Sequence, residues 1–227
     1  MKHSESNISY NPSLGRNDFD FFMNCLAFKS WSERLKKNGC NILSMRINSV
    51  NRKENEFFSA SIQVKIQYKD GEIQERGILV KDPSVVIVPF FISHDFIRLL
   101  FVKQNRICVG SNCTEFPAGG AKQTESAQQA AIRELREETN IIKTENDLIV
   151  PTYCSFYSCE SSMTEFVTWF LVKLDAEEIN TLKNTENFSN SEISQLDILS
   201  IDEALKIQSH QVRTGLSLLL EYLKQKG

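Results

Sequence analysis

Histidine is scarce in this chain. Only His3, His94 and His210 occur among 227 residues, far apart in sequence, which argues against a histidine-based zinc site. The six cysteines, Cys25, Cys40, Cys108, Cys113, Cys154 and Cys159, include no CxxC pair. No apolar run is long enough to cross a bilayer. An excess of one charge is lacking too: 26 basic residues stand against 29 acidic ones, a net charge of −3. Nothing global therefore draws the chain to nucleic acid. The opening MKHSESNISYNPS is polar and carries no apolar signal segment. The expectation is a reduced, cytoplasmic setting with free thiols.

The composition does supply a core. Apolar residues make up 41% of the chain, and the length fits one domain with an N-terminal extension or two packed lobes. Residues 1–18 are expected as a flexible tail. Phe21, Phe22, Cys25, Leu26, Trp31 and Leu35 recur at helical spacing over 19–38, with Asn38-Gly39 as a stop signal. Alternation predicts strands at 42–50 and 57–69, the latter with Ile62, Val64, Ile66 and Tyr68 on one face. Asp70-Gly71 then turns the chain into a strand near 72–80. Residues 19–80 thus form a helix and an antiparallel layer, and 81–227 a second domain. Within the latter, 84–91 and 97–103 are dense in β-branched and aromatic residues and predict buried strands, with Pro89 marking an edge or bulge. Residues 104–114 and 181–196 are expected to be irregular, 124–139 helical, 165–174 a strand, and 201–225 an interrupted helical region.

The chemistry concentrates in EFPAGGAKQTESAQQAAIRELREETNI, residues 115–141. Glu134, Glu137 and Glu138 can share one helical face, because residues three and four apart are neighbours there. Like charges so placed destabilise a bare helix by about a few tenths of a kcal/mol per pair. A solvated acidic patch is one account of them. A hard divalent cation held by oxygen ligands is the other. The preceding Pro117-Ala118-Gly119-Gly120 is a tight loop whose carbonyls can add a ligand, and Ala127, Ala130 and Ala131 let the helix approach a sheet closely.

Gly119, Glu125, Arg133-Glu134-Leu135, Glu137-Glu138 and Asn140-Ile141 together resemble the Nudix box: Gly, five residues, Glu, seven residues, Arg-Glu-aliphatic, one residue, Glu-Glu, one residue, Gly-aliphatic. One position departs: Asn140 stands where glycine is usual. Asn is the non-glycine residue that best tolerates positive φ, so the turn is expected to persist. The resemblance implies an α+β fold, an α/β/α sandwich with a mixed sheet, here with the N-terminal helix and antiparallel layer added. It implies that Glu134, Glu137 and Glu138 bind catalytic Mg²⁺ (or Mn²⁺), with the Ala118 carbonyl as a further ligand. Arg133 would orient the glutamates, Glu125 would sit near the helix start, and Gly119 would allow the sharp entry into the helix.

The flanks are similar to the ADP-ribose and ADP-sugar pyrophosphatase branch: Gln104-Asn105-Arg106 at a strand end, Gly110, and Glu115-Phe116-Pro117-Ala118-Gly119. Glu75-Arg76-Gly77 and the early segment with Trp31, Leu35 and Gly39 are similar as well. The resemblance implies that Gln104, Arg106 and Glu115 bind substrate. It makes Glu165 the general base, with Glu160 in reserve because the 157–166 loop lacks the glycines usual there. The bland alternatives are a strand-start carboxylate for Glu165 and a surface ion pair for Arg106. Phe57, Phe58 and Tyr68 are candidates to stack on a base, although core or dimer packing suits each better. A homodimer acting on a nucleoside diphosphate sugar is implied. The alternatives are a UDP-sugar or dinucleotide pyrophosphatase and a silent nucleotide-binding protein.

Overall fold

The computed structural model describes residues 7–54, 56–94, 96–183 and 193–226. The chain divides into two compact units. The first holds the chain up to Pro83 together with Lys122–Thr124 and Phe156–Val167; the second holds Ser84–Ala121, Glu125–Ser155 and the chain from Thr168 onward.

The first unit begins with strand β1 (Ile8–Tyr10), within the stretch expected as a flexible tail. Helices α1 (Arg16–Asn24) and α2 (Leu26–Lys37) follow. One helix is predicted here and two are found, because Cys25 between them is extended (φ −70°, ψ 157°). The break lets Phe22 of one helix and Phe28 and Trp31 of the other reach the same core. Gly39 ends the second helix region at φ 77°, where glycine carries no steric penalty. Strands β2 (Asn41–Lys53), β3 (Glu56–Gln67) and β4 (Ile73–Val80) complete a four-stranded sheet in the order β1-β2-β3-β4. β1 runs parallel to β2, and the later pairs are antiparallel. The alternation of Ala60, Ile62 and Val64 puts their side chains into the core against the two helices.

The second sheet consists of strands β5 (Ser84–Ser93), β6 (Phe96–Arg106), β7 (Ser111–Glu115), β8 (Ala118–Gly120) and β9 (Leu148–Ile149), then β10 (Ser155–Tyr157), β11 (Phe166–Lys173) and β12 (Ile193–Ser200); Phe156–Tyr157 of β10 and Phe166–Val167 of β11 are counted in the first unit and the rest in the second. The main path of the sheet is β10-β11-β5-β6-β12, with β7 on β6, β8 on β5 and β9 on β11. Helix α3 (Ala127–Thr139) packs Ala130, Ala131 and Leu135 against Val85, Ile87, Leu100 and Phe170. A short helix α4 (Ala176–Lys183) adds Ile179 to that core. Helices α5 (Ile201–Ala204) and α6 (His210–Lys226) close the chain. A Cβ at Gly215 of α6 would run into Phe116 and Val88, so α6 lies close against the opposite face of β5. With helices on both faces β5 is buried on both, which accounts for its unbroken apolar run. This is a mixed α+β unit of the expected layering.

Pro89 falls between the β5 residues that pair with β8 (Ser84–Val86) and those that pair with β6 (Phe90–Ser93). Its missing N–H costs no ladder bond to either strand. Residues 104–114 are not irregular: β6 extends to Arg106 and returns as β7, with Asn105 opposite Asn112. Of the expected loop at 181–196, residues 184–192 lie outside the described residues, and β12 begins at Ile193.

Candidate active site

Helix α3 starts from a capping box. The Ser126 hydroxyl accepts from the Gln129 N–H, and the Gln129 side chain accepts from the Ser126 N–H, both at 3.1 Å. At the other end Asn140 takes φ 60° and ψ 10°, and its N–H donates to the Arg136 carbonyl. The left-handed cap that glycine usually supplies is made here by asparagine, as expected.

Arg133 projects from this helix into a cluster of acceptors. Its Nε and Nη2 donate to the two oxygens of Glu125 at 2.7 and 2.9 Å, a fork-to-fork pair. Nη1 reaches Glu134 at 2.6 Å and Glu137 at 3.2 Å, and Nη2 also reaches the Gly120 carbonyl at 2.9 Å. These contacts, the Glu125 bond foremost, push the guanidinium pKa up. Arg133 thus ties the helix to the β8 loop and fixes two of the three glutamates. Gly119 is required for the same reason: a Cβ there would overlap the Glu134 carboxylate.

Glu138 differs from its neighbours. It is 3% exposed. Its Oε1 accepts from Gln104 Nε2 at 2.7 Å and its Oε2 from the Ala118 N–H at 3.0 Å. Among the described residues no ion pair to it is found, and burial pushes its pKa up to about 8 against those two hydrogen bonds and the more distant Arg106 charge. Burial also raises Glu134, opposed by Arg133, whereas the Glu137 side chain is 44% exposed. Among the described residues no three His, Cys, Asp or Glu side chains converge as a ready metal cage. The donor chemistry nonetheless fits a hard divalent ion. All the side-chain donors are carboxyl oxygens, and burial raises the pKa of two of them, Glu134 and Glu138, a cost that a bound cation would offset.

The flanking residues divide. Gln104 is buried at 4% exposure and serves Glu138. Arg106 and Glu115 form a two-pronged ion pair across the β6–β7 hairpin, with Nη2 to Oε2 at 2.6 Å. Glu165 belongs to the first unit, where its Oε1 lies 3.1 Å from Lys81 Nζ. The segment before it is clamped at several points. The Thr164 N–H donates to the Leu79 carbonyl at 3.1 Å, the Thr164 hydroxyl accepts from the Lys81 N–H at 3.2 Å, and Arg34 donates to the Thr164 carbonyl at 2.7 Å. Lys81, Thr164 and Arg34 have no counterpart in the motif, and nothing in their local sequence singles them out. Glu160 is exposed. Phe57 packs with Phe21 and Phe22, while Phe58 and Tyr68 are 47% and 39% exposed.

A NUDIX domain model matches residues 81–218. The chain is similar to the ADP-ribose pyrophosphatase of Bacillus subtilis (strain 168): 28% identical over 163 residues, 71% of this chain and 82% of the relative. It is also similar to the ADP-sugar pyrophosphatase of Mus musculus, 33% identical over 115 residues, 49% of this chain and about half (52%) of that relative. A solved ADP compounds hydrolase shares the fold at TM-score 0.58 and 16% identity, covering 83% of this chain and 96% of that one. The family model spans well over half of the chain and includes the whole glutamate helix with its glycine loop, and on that ground the chain belongs to the Nudix family.

Proposed function

We propose that this chain is a pyrophosphohydrolase that cleaves a nucleoside diphosphate sugar, ADP-ribose or ADP-glucose, to AMP and a sugar phosphate. The observation that carries this is Glu138, a buried carboxyl hydrogen-bonded by two neutral donors, beside the Gly119 loop and four residues from the desolvated Glu134. Such a pair is costly unless a cation joins it. Glu134, Glu137, Glu138 and the Ala118 carbonyl would hold Mg²⁺ or Mn²⁺. The ion would neutralise the phosphate oxygens and acidify water. Arg133 keeps Glu134 and Glu137 in place, and Gln104 and the Ala118 N–H hold Glu138. In the reaction a water oxygen bonds to one phosphorus, the P–O–P bridge breaks, and the water's proton passes to a carboxylate, which we assign to Glu165. Lys81 and the Thr164 clamp hold that carboxylate in one posture. Arg106 and Glu115 would exchange their mutual ion pair for contacts with the substrate. The names and partial identities of the two pyrophosphatase relatives support the substrate class. A cytoplasmic homodimer is the working form we assign; all six thiols are free, and light scattering would check the mass.

The test is turnover of ADP-ribose, ADP-glucose, UDP-glucose and diadenosine polyphosphate with Mg²⁺ or Mn²⁺, with products resolved by chromatography. AMP from the first two, lost in Glu138→Gln and reduced in Glu165→Gln, is the expected result. UMP from UDP-glucose instead would move the base preference. No metal-dependent turnover by the folded protein would overturn the proposal.

A further inference from the structure

Asp82 lies in the short link between β4 and β5, within the first unit. It directly follows Lys81, the residue that pairs with Glu165. It is half-buried, and its Oδ1 is buried with no hydrogen-bond partner among the described residues. Burial pushes its pKa up to about 6, opposed by the Ala27 N–H, which is directed at the carboxylate. An acid kept in such a setting costs free energy, and the proposed chemistry has so far given it no task.

Ala27 is the second residue of α2. The residue before a helix commonly caps an N–H at this point, but Cys25 makes no side-chain cap bond. Asp82 supplies the missing acceptor from a distant part of the chain, and its charge sits at the positive end of the helix dipole. Cys25 is the titratable group that faces it. Burial, with the Asp82 charge adding to it, pushes that thiol up to about 11, so Cys25 stays neutral and does not compete as an anion.

The stretch that ends in Asp82 also carries the segment presenting Glu165. The Leu79 N–H donates to the Ser162 carbonyl at 2.8 Å, the Leu79 carbonyl accepts from the Thr164 N–H at 3.1 Å, and the Lys81 N–H donates to the Thr164 hydroxyl at 3.2 Å. β4 ends at Val80, so Lys81 stands outside the sheet ladder. Pro83 biases Asp82 to extended backbone, which leaves one side-chain contact able to fix the link. Helix α2 therefore meets this assembly twice, at Ala27 through Asp82 and at Arg34 through the Thr164 carbonyl.

We infer that Asp82 is a positioning residue for Glu165: docked on the first turn of α2, it fixes Lys81, and Lys81 with Thr164 fixes the carboxylate that takes the water's proton. The inference rests on the assignment of Glu165 as that acceptor.

The test is a double-mutant cycle on the full chain with Mg²⁺ and ADP-ribose, joined to amide hydrogen exchange in EDTA. Asp82→Ala should lower kcat by about tenfold and leave KM within about twofold, since a displaced proton acceptor slows the reaction without loosening binding. In the Glu165→Gln background the same change should cost less than about twofold, because the two residues act as one unit. Exchange at the Lys81 and Thr164 amides should accelerate by about tenfold or more, with Ile62 and Val64 of β3 unchanged as a check on folding. Asp82→Asn keeps an acceptor for the Ala27 N–H and should recover most of the loss. Full turnover by Glu165→Gln would remove the base assignment and this inference with it. A full tenfold cost of Asp82→Ala in the Glu165→Gln background would overturn the inference alone. Native exchange rates at Lys81 and Thr164 in Asp82→Ala would overturn it too, as would an asparagine no better than alanine.

Discussion

Glu138→Gln in the metal-free protein should make the chain more stable at alkaline pH, although it removes a residue assigned to the active site. The native carboxyl has a pKa of about 8, against an ordinary value of 4.5. Between those values the folded chain holds a proton that the unfolded chain has released. The unfolded state then binds fewer protons, so stability falls as pH rises through this window. The contribution is fully present below about pH 4.5 and lost above about pH 8. At about 1.4 kcal/mol per unit the ceiling is roughly 5 kcal/mol. Relaxation and water entry reduce such penalties, and about 2 kcal/mol is the expected measured size. Glutamine keeps the shape and carries no charge. Its oxygen can accept from the Ala118 N–H while the Gln104 amide turns its own oxygen toward the new NH₂. Urea unfolding in EDTA from about pH 5 to about pH 9 measures the effect: the native curve should decline relative to that of the variant across this interval. Divalent metal should then stabilise the native chain and leave the variant nearly unchanged. A native–variant difference that stays flat with pH in EDTA would refute the assignment of Glu138 as a desolvated, metal-seeking carboxylate.

Gly119→Ala places a methyl group on the Glu134 carboxylate and must push that side chain off Arg133. We expect kcat to fall by about a hundredfold or more, since small misplacements at a reacting centre have that effect, while circular dichroism stays native; retained activity would show that Glu134 need not hold its position. Asn140→Gly removes a non-glycine residue from φ 60° and should stabilise the metal-free chain by up to about 1 kcal/mol in the same urea assay. A loss of stability there would mean that the asparagine side chain contributes more than its conformational penalty.

What was legible in the sequence was local. The glutamate spacing, the Gly119 turn and the Asn140 cap lie within a few turns of one helix, where periodicity and φ preference fix geometry. β5 was legible because both its faces are buried and its apolar run is continuous. Long-range pairing was not. Arg34 meets Thr164 across 130 residues, and Lys81 meets Glu165 across 84. No pattern along the chain encodes these partners; they are products of the fold. The hairpin partner β7 was hidden because Ser111–Glu115 is short and polar, and because the turn before it displays Ile107 at 98% exposure. β12 was hidden because its apolar content is confined to Leu196, Ile198 and a few neighbours on a polar strand. The break at Cys25 was unreadable because the helical spacing runs straight through it.

The distribution of charge on α3 explains why one motif needs both an arginine and so many acids. Arg133 meets Glu125, Glu134 and Glu137, so one cation serves three anions. The acids also crowd the C-terminal half of the helix, where the dipole is negative and a carboxylate is disfavoured. Glu125 offsets none of this and takes the strongest share of Arg133, at two short bonds. That share orients the guanidinium without neutralising Glu138, whose hydrogen-bond donors among the described residues are the Gln104 amide and the Ala118 N–H. A chain selected only for stability would replace Glu138 by an apolar residue at this buried position. Keeping it ionisable, hydrogen-bonded on both oxygens and beside a loop where a side chain at position 119 would displace Glu134 leaves the deficit to be met from outside the chain. A divalent ion carrying phosphate oxygens would meet that deficit, and stability and catalysis would then be coupled through the same carboxylate.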